Sequence, residues 1–133
     1  MIVRGVLYGY YGSVKDVTIP DGVTRIDSRA FEGNTFLTSV IVSEGVSSVG
    51  DHAFSKCSAL TSVIISDSVA KIGYAAFAEC EALSSVVLGS GVRSIAGRVF
   101  AGCASLTNVT IPDSVTDICP GAFSGCPVEK TVE

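Results

Sequence analysis

Four of the five cysteines fall at one interval. Cys57, Cys80, Cys103 and Cys126 follow one another every 23 residues, and Asn34 holds the same place one interval earlier. A thiol set of this size suggests a metal centre or a disulfide framework. Zinc needs ligands that converge on a tetrahedron, but no CxxC pair occurs, and one cysteine per interval makes a line instead. Stacked thiols that point the same way also miss the dihedral angle a disulfide requires. The row is therefore read as buried, reduced thiols acting as small hydrophobes. Cys119 stands outside it, in the place held by Asp27, Gly50, Gly73 and Ala96, and is expected to be the exposed, reactive thiol.

Other residues with chemical potential fit the same period. Asp21, Glu44, Asp67 and Asp113 form an acidic row broken by Ser90, which raises the question of calcium. They lack the dense GGxGxD spacing of a calcium-binding roll and sit in turn-forming runs such as Pro20-Asp21-Gly22, so turn chemistry accounts for them. His52 is the single histidine, has no serine or cysteine partner at a repeated spacing, and is expected at the surface. GxSxG, HExxH, phosphate-loop and dinucleotide patterns are absent from the sequence. With no constellation of acid, base and nucleophile, the expectation is no enzyme, no cofactor and no metal. A net charge of −4, with nine basic residues scattered along the chain, argues against nucleic acid, whose phosphates demand clustered Lys and Arg. No apolar run reaches the roughly 18 residues needed to cross a membrane. The opening MIVRGVLYGYYG lacks the basic flank and A-x-A site of a signal peptide.

What positions these residues is a repeat. Phe31, Phe54, Phe77, Phe100 and Phe123 keep the 23-residue interval, as do Val17, Val40, Val63, Val86 and Val109, and Ile26, Val49, Ile72, Ile95 and Ile118. A fixed period of this length marks a solenoid whose units bury their apolar faces only against neighbours. Within one unit, Val63-Ile64-Ile65 reads as a short strand with Ile64 outward, and Ser66-Asp67-Ser68 as a turn. Val69 and Ile72 return to the core as a short extended stretch. Tyr74 to Cys80 is expected to form one helical or 3₁₀ turn with Ala76 and Phe77 inward. The strands stack as a parallel sheet, one coil every 4.8 Å or so, in a right-handed solenoid. The 47% hydrophobic content suits one such domain. Five repeats are assigned to 17–39, 40–62, 63–85, 86–108 and 109–131. Residues 1–16 are a cap or partial repeat with Leu7, Tyr8, Tyr10 and Tyr11 as an aromatic cluster. Residues 132–133 begin a truncated sixth copy, with Val132 in register with Val109.

The stretch Leu60 to Leu83, LTSVIISDSVAKIGYAAFAECEAL, resembles the BspA-like class of leucine-rich repeats, a bacterial and protist surface-antigen type. The likeness runs from about residue 6 to 126. It implies a leucine-rich repeat solenoid, mostly β, with strands on one face and short extended segments and turns on the other. It also implies a secreted or cell-surface protein that binds host, matrix or cell-surface protein ligands, without a transferable binding motif.

One row remains for recognition. Thr18, Ile41, Ile64, Val87 and Thr110 project from the open strand face. β-Branched residues in a cross-strand ladder stabilise a sheet in their own right. They also make an apolar centre for a protein partner, rimmed by Ser39, Ser62, Ser85 and Asn108 on one side and Ser43, Ser66 and Gly89 on the other. Phe36 breaks a row of small residues, Ser13, Ala59, Ala82 and Ser105, and either fills a local void or stands exposed as an anchor. The resulting expectation is a non-catalytic protein-binding module, the alternative being a solenoid that stacks head to tail with itself.

Overall fold

The computed structural model describes residues 1–127 and 129–132. Its strands are β1 (Ile2–Val3), β2 (Val6–Leu7), β3 (Asp16–Thr18), β4 (Arg25–Ile26), β5 (Ser39–Val42), β6 (Ser48–Val49) and β7 (Ser62–Ile65), followed by β8 (Lys71–Ile72), β9 (Ser85–Val87), β10 (Ser94–Ile95), β11 (Asn108–Ile111), β12 (Asp117–Ile118) and β13 (Glu129–Val132). The longer strands form one sheet in the order β13-β11-β9-β7-β5-β3. The two-residue strands form a second sheet, β1-β2-β4-β6-β8, and a β10-β12 pair. Apart from the β1–β2 hairpin every pairing is parallel. The chain is thus a right-handed solenoid with a strand from each coil in the long sheet.

Between the sheets lies one continuous core. Val40, Val42, Val63 and Ile65 point into it from the long sheet, and Ile26, Val49, Ile72 and Ile95 from the other side. Phe31, Phe54, Phe77 and Phe100 are fully enclosed, and their rings stack face to face at 4.7, 5.1 and 5.7 Å. Phe123 continues the stack at 5.5 Å.

The expected helical or 3₁₀ turn on the far side is a correction: no helix occurs among the described residues. Each coil instead strings together four-residue turns. Ala30, Glu32 and Asn34 donate back three residues to Asp27, Arg29 and Phe31, while Arg29, Phe31 and Gly33 donate across to Asp51, Ala53 and Ser55 of the next coil. Alternate amides can face outward along the axis because two residues per coil are left-handed. One row is Arg29, His52, Ala75, Arg98 and Gly121, the other Gly33, Lys56, Glu79, Gly102 and Gly125, with φ from 55° to 81°. A left-handed residue every fourth position stops a right-handed helix. Ala76 and Phe77 do face inward.

At the N-terminal end, Leu7 pairs with Ile26 and the Tyr10 ring lies 5.1 Å from Phe31, so these two act as a cap. Tyr8 and Tyr11 do not, being exposed. At the other end β13 pairs Ile111 with Val132 and Val109 with Lys130. The expected alignment of Val132 with Val109 is therefore corrected by two residues, the last connection being shorter than the repeat. Glu133 lies outside the described residues.

Coil spacing leaves no room for a side chain at certain places. A Cβ on Gly50 would meet the Ser28 amide nitrogen at 2.6 Å. Gly50→Ala is expected to cost about 1–3 kcal/mol by overpacking. Lys56→Gly, which relieves a left-handed lysine, is expected to add about 0.5–1 kcal/mol net of chain entropy. Urea unfolding midpoints at constant m-value check both.

Candidate functional site

Strand register decides where the outward row falls. Thr18 sits beside Ile41, Ile41 beside Ile64, Ile64 beside Val87, and Val87 beside Thr110. The five therefore form one straight ladder across the long sheet. Ile41, Ile64 and Val87 are 42%, 45% and 53% exposed, against 1% or less for their inward neighbours Val40 and Val63. Thr18 and Thr110 end the apolar stretch on either side and are exposed. The structure thus brings these five candidates together on one open face.

The rims are hydroxyl-rich, and coil stacking accounts for much of this. Thr38 donates to the Lys15 carbonyl, Thr61 to Thr38 and Ser84 to Thr61. Along the other rim Ser43 donates to the Ile19 carbonyl and Ser66 to that of Ser43. Each of these hydroxyls donates to a carbonyl of the coil before it, and on the first side they belong to Thr38, Thr61 and Ser84, one residue before the expected rim serines Ser39, Ser62 and Ser85. Ser39 donates to the Asp16 carboxylate at 2.6 Å. The Asn108 side chain lies outside the described ones. Gly89 is packed against Ser66 and adds no side chain to the rim.

Phe36 is set apart from the strand. The Asn34 side-chain oxygen accepts the Phe36 and Leu37 amides, at 2.9 and 3.1 Å, and its amide group donates to Gly12. This loop holds Phe36 outward at 55% exposure, so it fills no void. With Tyr11 it borders a shallow hollow of about 180 Å³.

The thiol row has a role that spacing alone leaves hidden. Cys57, Cys80 and Cys103 each donate to a phenylalanine carbonyl one coil earlier, Phe31, Phe54 and Phe77, at 3.1 Å. Cys126 does the same to Phe100 at 2.7 Å. All five cysteines are free thiols, and Cys119 is the exposed one. The neighbouring Cys57 thiol and burial hold the pKa of Cys80 above its ordinary value, and the neighbouring Cys80 thiol holds that of Cys57 below it. Burial pushes Cys103 up to about 12, chiefly by desolvating the thiolate, and raises Cys126 too. In the acidic row, the Asp67 carboxylate accepts the Ser90 amide of the next coil at 2.8 Å, which is a turn role. His52 is half-buried, with its ring edge 5.7 Å from Tyr74.

These stacked coils match a BspA-type leucine-rich repeat region over residues 3–129, in six copies. The chain belongs to the BspA-type leucine-rich repeat family. Among solved structures it is similar to the leucine-rich repeat protein of T. pallidum, at 32% identity and a TM-score of 0.85, over 90% of this chain and 58% of that one. It is also similar to a leucine-rich cell surface protein of Faecalibacterium prausnitzii, at 29% identity and a TM-score of 0.68, over 88% of this chain and 41% of that one. The pneumococcal vaccine antigen PcpA matches at 25% identity and a TM-score of 0.82, over 97% of this chain and 34% of that one. The chain thus spans less than two thirds of the length of these repeat proteins. No curated protein sequence gives a significant match.

Two outcomes follow for the thiols. A maleimide probe on the native protein should label Cys119 well ahead of Cys57, Cys80 and Cys103, which react only on unfolding. The fold also holds the Cys103 proton more tightly than the unfolded chain does. Its contribution to stability is full below the ordinary thiol value of 9.0 and is lost as pH rises from there to about 12. Unfolding free energy should fall there by about 1.4 kcal/mol per pH unit for each such thiol, and less steeply in Cys103→Ala.

Proposed function

We propose that the chain is a non-catalytic protein-binding module of a secreted or cell-surface protein, and that it recognises its ligand through the long-sheet face. The carrying observation is the ladder Thr18–Ile41–Ile64–Val87–Thr110, whose apolar middle stays exposed while the inward residues of the same strands, Val40, Val42, Val63 and Ile65, are buried. An apolar centre inside a polar rim is the layout of a protein interface, where the centre supplies binding energy and the rim excludes water. A surface role agrees with the family and with the surface protein of F. prausnitzii among its structural neighbours. The ligand is a protein of host, matrix or cell-surface origin. No cofactor or metal takes part.

The immobilised chain presented to a panel of purified matrix and cell-surface proteins provides the test. Partners captured by the parent chain should lose about tenfold or more in affinity with Ile64→Asp, and nearly all binding when Ile41, Ile64 and Val87 are all serine. Far-UV spectra should be unchanged, since all three side chains are substantially exposed. Full binding by the folded triple variant sinks the assignment of the site.

A further inference from the structure

The two sheets do not end together at the N-terminal side. Beyond β4, the second sheet continues through β2 and β1, whereas the long sheet stops at β3, the strand of the same coil. β3 engages β5 with its odd-numbered residues: the Lys15 carbonyl accepts the Thr38 amide at 2.7 Å, and the Ile19 amide donates to Ile41 at 3.0 Å. By the alternation of a strand, Asp16 and Thr18 present N–H and C=O groups on the opposite side, where no strand of the described residues pairs with them. Along that edge runs a groove of about 460 Å³ whose wall includes Ile2, Tyr10, Val14, Val17 and Ile19. Val17 is only half-buried, although its counterparts Val40, Val63 and Val109 are at most 1% exposed.

The geometry points to a strand-acceptor site at this groove, filled by one extended peptide segment of a partner protein. The segment pairs with the backbone of Asp16 and Thr18 and carries two β-branched apolar residues separated by one. This is the Val-x-Val or Val-x-Ile pattern that β5 and β7 place beside their neighbours, as Val40–Val42 and Val63–Ile65. Pro20 ends the register, since it has no N–H to offer. The occupant is a single segment and not a second copy of this chain. A second copy that set its β13 beside β3 would bring its β12 to the place beside β2, which antiparallel β1 already holds. Main-chain pairing supplies affinity and the groove selects the alternate side chains.

A fluorescein-labelled, lysine-flanked peptide carrying the Thr38–Ser43 sequence is the probe, titrated into the full chain and followed by anisotropy. It should bind saturably at one per chain, more tightly than its scrambled form. Ile2→Lys and Val14→Lys alter side chains already 46% and 56% exposed, so the fold should persist while affinity falls about tenfold or more. Ile64→Asp should leave peptide binding unchanged, which separates this groove from the sheet face. Equal binding of the scrambled peptide, full binding by both lysine variants, or no saturable binding would overturn the proposal. So would concentration-dependent dimerisation abolished by Val14→Lys, which would give the groove to a second copy.

Discussion

Phe31, Phe54, Phe77 and Phe100 each fasten their coil to the next in three ways, and the rest of the structure depends on that attachment. The ring of Phe54 stacks on that of Phe77 at 5.1 Å, its amide donates to the Ala76 carbonyl at 2.7 Å, and its carbonyl accepts the Cys80 thiol at 3.1 Å. Neighbours repeat the arrangement, so one residue type per coil fixes spacing, rotation and register together. A coil of this length buries too little by itself to offset the entropy of ordering it. Cohesion therefore resides in the interfaces between coils, as in other quasi-one-dimensional folds. The exposed ladder of the long sheet is straight because this register is.

Polar groups obey the same constraint. Axial carbonyls receive hydroxyls from Ser43, Thr61 and Ser66 and thiols from Cys57, Cys80 and Cys103, in most cases beside a backbone amide they already accept. Several serines and threonines thus bond the backbone of the neighbouring coil. Asn34 shows the requirement generically: where the thiol is missing, its side chain bonds to Gly12 and to the two following turn amides.

Much of this was legible in the sequence. Side-chain periodicity of 23 places strands, inward rows and the open face, because every coil buries the same positions. The left-handed turns were hidden, since Arg29, His52, Lys56, Ala75, Glu79 and Arg98 hold positive φ with no glycine to mark it. Packing between coils imposes that backbone against local preference, and helix-forming residues such as Ala75 and Glu79 pointed the other way. Of the four residues in the expected N-terminal cluster, Leu7 and Tyr10 pack against the core, whereas Tyr8 and Tyr11 are exposed. Val132 imitated the repeat register although the last connection is two residues short. The groove beside β3 has no sequence signal, because it arises from how far two sheets extend.

Equilibrium unfolding of Phe77→Ala tests the dependence on stacking most directly. Removing one ring from the middle of the ladder should lower stability by about 3–5 kcal/mol. The loss should appear in a single transition that takes β5, β7 and β9 together, as read by amide exchange at each strand. A loss below about 1 kcal/mol, or a transition confined to the coil that carries Phe77, would contradict the view that the coils hold together only through one another.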